Sequence, residues 1–159
     1  MTSFVHLCQH GVVTTATGPD YRALLAFRTA LRRFVRWSEL QAEEAGLTGT
    51  QHQLLLAVKG HDDPRGPTIG DVADHLLLRH HSAVELVNRA QSADLVIRMK
   101  DDADGRIVRL RLTPTGEKAI ATLTQLHLDE LRQLEPLLRH LVDDGQRDGE
   151  LPLRPSGSA

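Results

Sequence analysis

A chain of 159 residues is the size of one compact domain, and with 40% hydrophobic and 25% charged residues it can bury a real core. Aromatics at 3% leave Leu, Val and Ala to build that core, which favours helices over strands. The net charge of −2 weighs against a general polyanion binder but leaves room for a local basic face, the lone Cys8 excludes an intrachain disulfide framework and fits a reducing cytosol, and no apolar run nears the ~20 residues needed to cross a bilayer.

Residues 1–19 hold no basic stretch followed by an apolar one, so no secretion signal is expected and the predicted location is the cytoplasm. Gly, Thr and Val without a sustained period predict a flexible arm there. Over 20–45, Leu24, Phe27, Leu31, Phe34 and Leu40 recur near helical spacing, Arg28, Arg32, Arg33 and Arg36 crowd another side, and Gly46 stands where a helix ends. The arginines are placed to pair with Glu39, Glu43 and Glu44 on a solvated face. Thr48, with Gln51 three residues on, has the form of a capping box and opens a second helix whose inner face is Leu54, Leu55 and Val58. The stretch 60–67, with two prolines and two glycines, is a loop.

Thr68 with Asp71 repeats the capping logic and opens a third helix over 69–77, striped by Ile69, Val72, Ala73 and Leu76. After a tight break, a fourth helix over 81–93 turns Val84, Leu86, Val87 and Ala90 inward; two short helices so close have the spacing of a helix-turn-helix. The period then switches. Apolar and polar residues alternate over 95–100 and 106–113 around Asp101-Asp102-Ala103-Asp104-Gly105, the pattern of a β-hairpin. Pro114 is tolerated in the first turn of a last helix that runs to about Glu135, where Pro136 kinks it or starts another reaching Val142. The polar, Gly-, Pro- and Ser-rich stretch 143–159 is expected to be a disordered tail.

A hairpin directly after the second helix of a helix-turn-helix is the layout of a wing. One α-helix fits a major groove, and the fourth helix presents Arg79, His80, His81, Ser82, Glu85 and Asn88 near its start and along one side. Thr68, at the start of the third helix, is counted with them, and Arg89 either joins the set or braces the hairpin. The hairpin carries Arg98, Lys100, Arg106, Arg109 and Arg111 for phosphates or an adjacent minor groove. Asp101, Asp102 and Asp104 would repel phosphate unless they orient an arginine; Asp104 is placed to brace the guanidinium of Arg106.

Several pieces, in order and at matching spacing, carry a resemblance: Leu47-Thr48-x-x-Gln51, the run from Thr68 to Leu76, Leu86-Val87-Asn88-Arg89, Leu95-Val96-x-Arg98, and Asp104-Gly105-Arg106 followed by Val108-x-Leu110-x-Leu112-Thr113-x-x-Gly116. From about Tyr21 to Val142 the sequence resembles the multiple-antibiotic-resistance regulator (MarR) family of winged helix-turn-helix repressors. The resemblance implies a mainly α fold with a small β-hairpin wing. In it, 20–142 form the winged-helix domain, 47–113 its DNA-binding part, and 20–46 and 114–142 the N- and C-terminal helices that intertwine in a homodimer. It also implies a double-stranded, pseudo-palindromic DNA operator as partner, a fourth helix that reads bases, Arg106 in the minor groove, and a small aromatic-acid effector between the dimer helices and the reading heads. The chain departs from the family's pattern at Gly105, where many members carry an arginine, at Asp94, where Gly is usual, and at Ala90, where Leu is usual.

Leu24, Phe27, Leu31, Leu131, Leu134 and Leu138 are the candidate dimer contacts, because the apolar stripe of the last helix is long for a chain this small. His6-x-Cys8-x-His10 and the pair Asp71 and His75 have ligand chemistry but no strong zinc spacing, and His75, His80 and His81 read better as exposed helix surface. With no Gly-rich phosphate loop, nucleophile elbow or HExxH, neither an enzyme nor a cofactor nor a metal is expected. The expectation is a ligand-responsive DNA-binding repressor. Two alternatives stay open on the sequence alone: a metal- or thiol-redox-gated regulator of the same fold, and a winged-helix protein–protein module that binds no DNA.

Overall fold

A computed structural model describes residues 18–147. Its order is α1 (Gly18–Glu44), α2 (Gly49–Lys59), α3 (Ile69–His75), α4 (His80–Ser92), β1 (Val96–Lys100), β2 (Val108–Leu112) and α5 (Pro114–Arg147). The candidate ligands His6, Cys8 and His10 lie outside the described residues, as do most of the 1–19 arm and the end of the 143–159 tail.

Both capping boxes form. The Thr48 hydroxyl accepts from the Gln51 N–H while Gln51 accepts from the Thr48 N–H, and Thr68 and Asp71 do the same at α3. Each box satisfies two of the donors a helix start leaves open. Three helices then end alike, with a residue of positive φ just past the last turn and a hydrogen bond from the next N–H back to the helix: Leu47 to Ala42 at 2.8 Å, Leu78 to Ala73 at 2.8 Å, and Leu95 to Ala90 at 2.9 Å. The positive-φ residues are Gly46, Leu77 and Asp94, with φ of 77°, 54° and 54°. That geometry ends α3 at His75, short of the predicted Leu77.

The antiparallel β1–β2 hairpin sets Val96 opposite Leu112, Arg98 opposite Leu110 and Lys100 opposite Val108. The outer edge of β2 is covered by the 60–67 loop and the start of α3: Leu110 donates to the Pro67 carbonyl at 2.8 Å and Thr68 bridges to Arg109. The core beneath gathers Leu54, Leu55 and Val58 of α2, Val72 and Ala73 of α3, Ala83, Leu86, Val87 and Ala90 of α4, Leu95, Val96 and Leu110 of the hairpin, and Ile120 and Leu123 of α5. Ala90 is fully buried, so the small residue at that position is part of a closed core.

The sequence places the end of the last helix too early. α5 runs through Pro136 without a second helix start and reaches Arg147, inside the segment expected to be a tail. Loss of apolar residues marks where burial stops, whereas a long helix carries its hydrogen-bond ladder onward through polar residues.

The chain divides into two compact units. The larger, 33–133, contains the helix-turn-helix and the wing. The smaller takes, of the described residues, the outer ends of α1 and α5, 18–32 and 134–147. In it Tyr21, Leu24, Leu25 and Leu31 are exposed and Phe27 is half-buried. In the larger unit Val35, Leu40, Leu126, Leu128 and Leu131 are exposed. The side chains of Leu134 and Leu138 lie outside those described.

Candidate nucleic-acid interface

α4 is amphipathic. Ala83, Leu86, Val87 and Ala90 hold it to the core, while Arg79, His80, His81, Glu85, Asn88 and Arg89 are exposed and Ser82 is half-buried. Arg79, the residue preceding the helix, is extended and exposed and gives no side-chain cap, so the first-turn N–H groups keep no side-chain acceptor from that residue. The Arg89 side chain makes no hydrogen bond or ion pair among the described residues, so it does not brace the hairpin. The brace is Arg98, which donates to the Asn88 side-chain carbonyl at 2.7 Å and to the Gln91 side chain, tying β1 to α4. Asn88 therefore keeps its amide N–H groups for another partner.

The wing is held by a four-residue ionic network that the sequence does not disclose. Asp101, its side chain 1% exposed, accepts from Arg109 Nε, from Arg65 Nη1 at 3.2 Å, and from the N–H groups of Ala103 and Asp104 at 2.8 and 3.2 Å. Arg109 donates to the Gly66 carbonyl at 2.7 Å and faces Asp63 at 3.2 Å. Asp63 takes Arg65 Nη2 at 2.7 Å. The hydrogen bond from Arg109, followed by the Ala103 N–H, holds the Asp101 carboxyl below the usual range; that from Arg65 does the same for Asp63. Arg109, with only 11% of its side chain exposed, is thus an internal strut and not the phosphate contact expected from its place on the hairpin.

Asp104 also differs from expectation. Its carboxylate accepts from the main-chain N–H of Arg106 at 3.0 Å, folding the turn, and leaves that guanidinium without a partner among the described residues. Arg106 stands exposed at the wing tip. Thr68 is engaged in its cap, where its N–H lowers the Asp71 carboxyl; Asp71 looks to His61 at 4.0 Å, and His75 stacks edge-on with His61. Among the described residues, no group of three His, Cys, Asp or Glu is placed to hold a metal.

Residues 45–107, the helix-turn-helix through the wing turn, match the sequence model of the MarR family. This segment is similar to the MarR family. A curated relative, the uncharacterized HTH-type transcriptional regulator YsmB of Bacillus subtilis (strain 168), is 36% identical over 67 residues, covering 42% of this chain and 46% of YsmB. The match thus spans about half of that relative. Among solved structures, the MepR–DNA complex of S. aureus superposes with a TM-score of 0.63 at 20% identity, covering 78% of this chain and 90% of that one. AbsC of Streptomyces coelicolor, a MarR family transcriptional regulator, gives 0.62 at 18%, covering 82% and 99%. Both show the winged-helix fold. Within the matched segment, the departure at Asp94 has a local account: the usual Gly suits its positive φ, and here the carboxylate accepts the Thr115 hydroxyl at 2.9 Å.

A second feature of the larger unit is not legible in the sequence. A cavity of about 310 Å³ opens between Phe34, Val35, His52, Leu56, His127 and Leu131. His127 donates from Nδ1 to the Leu123 carbonyl at 2.7 Å and meets the Ser38 hydroxyl at Nε2, also at 2.7 Å. Its ring lies 4.5 Å from that of His52 and 4.9 Å from Trp37. Burial, and then the neighbouring His127, push His52 down to about 4, so its ring is neutral at pH 7. Three histidine and aromatic positions from three helices converge here, which no local spacing announces.

Proposed function

We propose that this chain is a sequence-specific regulator that binds double-stranded DNA as a homodimer. The observation that carries the reading is α4: one face closes the core while the other offers Arg79, His80, His81, Asn88 and Arg89 beside a wing whose tip arginine, Arg106, has no partner within the described protein. α4 would lie against base edges, Arg106 against the minor groove or its phosphates, and the exposed Leu24, Leu31 and Leu131 against a second copy. Repeated selection on random duplexes tests this. A two-fold symmetric motif is expected, with affinity falling steeply with salt. Arg106→Ala should weaken binding to all sequences alike and reduce the salt slope by about 1. No salt-dependent retention of any duplex would favour the protein–protein module instead.

The cavity favours an effector of a different charge from the aromatic acid that the family resemblance implies. No Lys or Arg lines it, His52 is neutral, and Glu39 sits on its wall. A carboxylate entering there would be desolvated with no fixed cation to receive it. An uncharged or cationic aromatic fits the apolar lining and can bond to His52 or Ser38. Matched compounds decide: benzamide or benzylamine should release the selected duplex at lower concentration than benzoate, and the reverse order would defeat this assignment.

A further inference from the structure

Leu77, in the turn between α3 and α4, is 92% exposed, the highest exposure among the large hydrophobic residues described. Its φ of 54° is one an L side chain adopts at a cost. The two equivalent helix ends are rationalised within the fold. Gly46 has no side chain to strain, and Asp94 receives a hydroxyl from Thr115. Leu77 has neither justification: Leu76 and Leu78 on either side pack against the core, and Leu77 points away from it. Folding alone is served better by Gly here.

The residues just after Leu77 narrow the partner. Arg79, His80 and His81 are exposed, and the first turn of α4 has no side-chain cap. An apolar knob set among cationic and hydrogen-bonding groups matches a major groove, where thymine methyls lie between phosphate rails. Resting on the proposed duplex binding, we infer that Leu77 is a specificity-determining residue that packs on a thymine methyl beside the first turn of α4.

The test uses the full chain and a duplex that it selects from a random library, with each thymine replaced in turn by uracil, which lacks only the methyl. In each half-site, one replacement should weaken the wild-type chain about threefold or more. Leu77→Gly should bind the thymine and uracil forms equally, and should melt at or above the wild-type temperature because the strain is gone. Arg106→Ala serves as a control that weakens both forms alike. If no uracil position separates wild type from Leu77→Gly, or if Leu77→Gly melts lower, the inference is overturned while duplex binding stands. If the wild-type chain selects no duplex at all, both readings fall.

Discussion

Replacing Asp101 with alanine should lower the melting temperature by roughly 10 °C and weaken duplex binding about tenfold or more. The carboxylate is the hub of the wing: two guanidinium groups and two main-chain N–H groups converge on it, and its side chain is 1% exposed. Its removal leaves Arg109, itself almost covered, with Asp63 as its one ion-pair partner among the described residues, and frees the 101–107 turn that carries Arg106. A buried charge stripped of one partner costs more than the pair contributed. Asp101→Asn keeps the size and part of the hydrogen bonding but not the charge, and should fall between wild type and Asp101→Ala. The pH dependence has a definite sign. The folded-state carboxyl lies below its unfolded value, so the stabilisation is complete above the ordinary carboxylate range and is lost as pH falls through the depressed folded value. Wild type and Asp101→Asn should therefore converge on acidification and differ most near neutrality. Thermal melts read by circular dichroism, with anisotropy of a labelled duplex, check both effects. An alanine variant that melts with wild type would mean that the network is ornamental.

The elements are legible where the determinants are local. Thr48–Gln51 and Thr68–Asp71 declare helix starts through groups three residues apart, and the change of period after Ala93 declares the hairpin. The inner face of α4 is equally readable, and so are the exposed positions of its other side. What escapes depends on contacts between segments far apart in the chain. Arg109 resembles one more wing cation because nothing near it announces that Asp63, Gly66 and Asp101 surround it. Hairpin register holds a signal, since a turn closing 101 to 107 brings Asp101 near Arg109, but the contribution of the 60–67 loop has no local trace. The histidine cavity is the same case across α1, α2 and α5. Asp104 shows the opposite error: its nearness to Arg106 suggests a side-chain partner, whereas a carboxylate two residues ahead of an N–H commonly turns the backbone instead.

Gly116→Ala should destabilise the fold by about 3 kcal/mol, although alanine is the better helix former and the site lies in the first turn of α5. A Cβ there would stand 2.2 Å from the Leu95 carbonyl oxygen and 3.1 Å from its carbon, both backbone atoms that cannot rotate aside. That carbonyl already accepts the Thr113 N–H at 3.1 Å, while the Thr113 hydroxyl donates to the Asp94 carbonyl at 2.5 Å and caps the Gly116 N–H at 3.0 Å. To admit a methyl group, α5 must move off the Leu95 backbone and break this cluster, which fixes where the hairpin leaves the core. Gly105→Ala is the control: nothing lies within 4 Å of its added Cβ, so its chemical-denaturation midpoint should match wild type. If Gly116→Ala also matched wild type, α5 would not be seated against Leu95. A midpoint shifted by Gly116→Ala alone means that close helix–strand approach, and not helix propensity, makes glycine necessary where the wing joins the long helix.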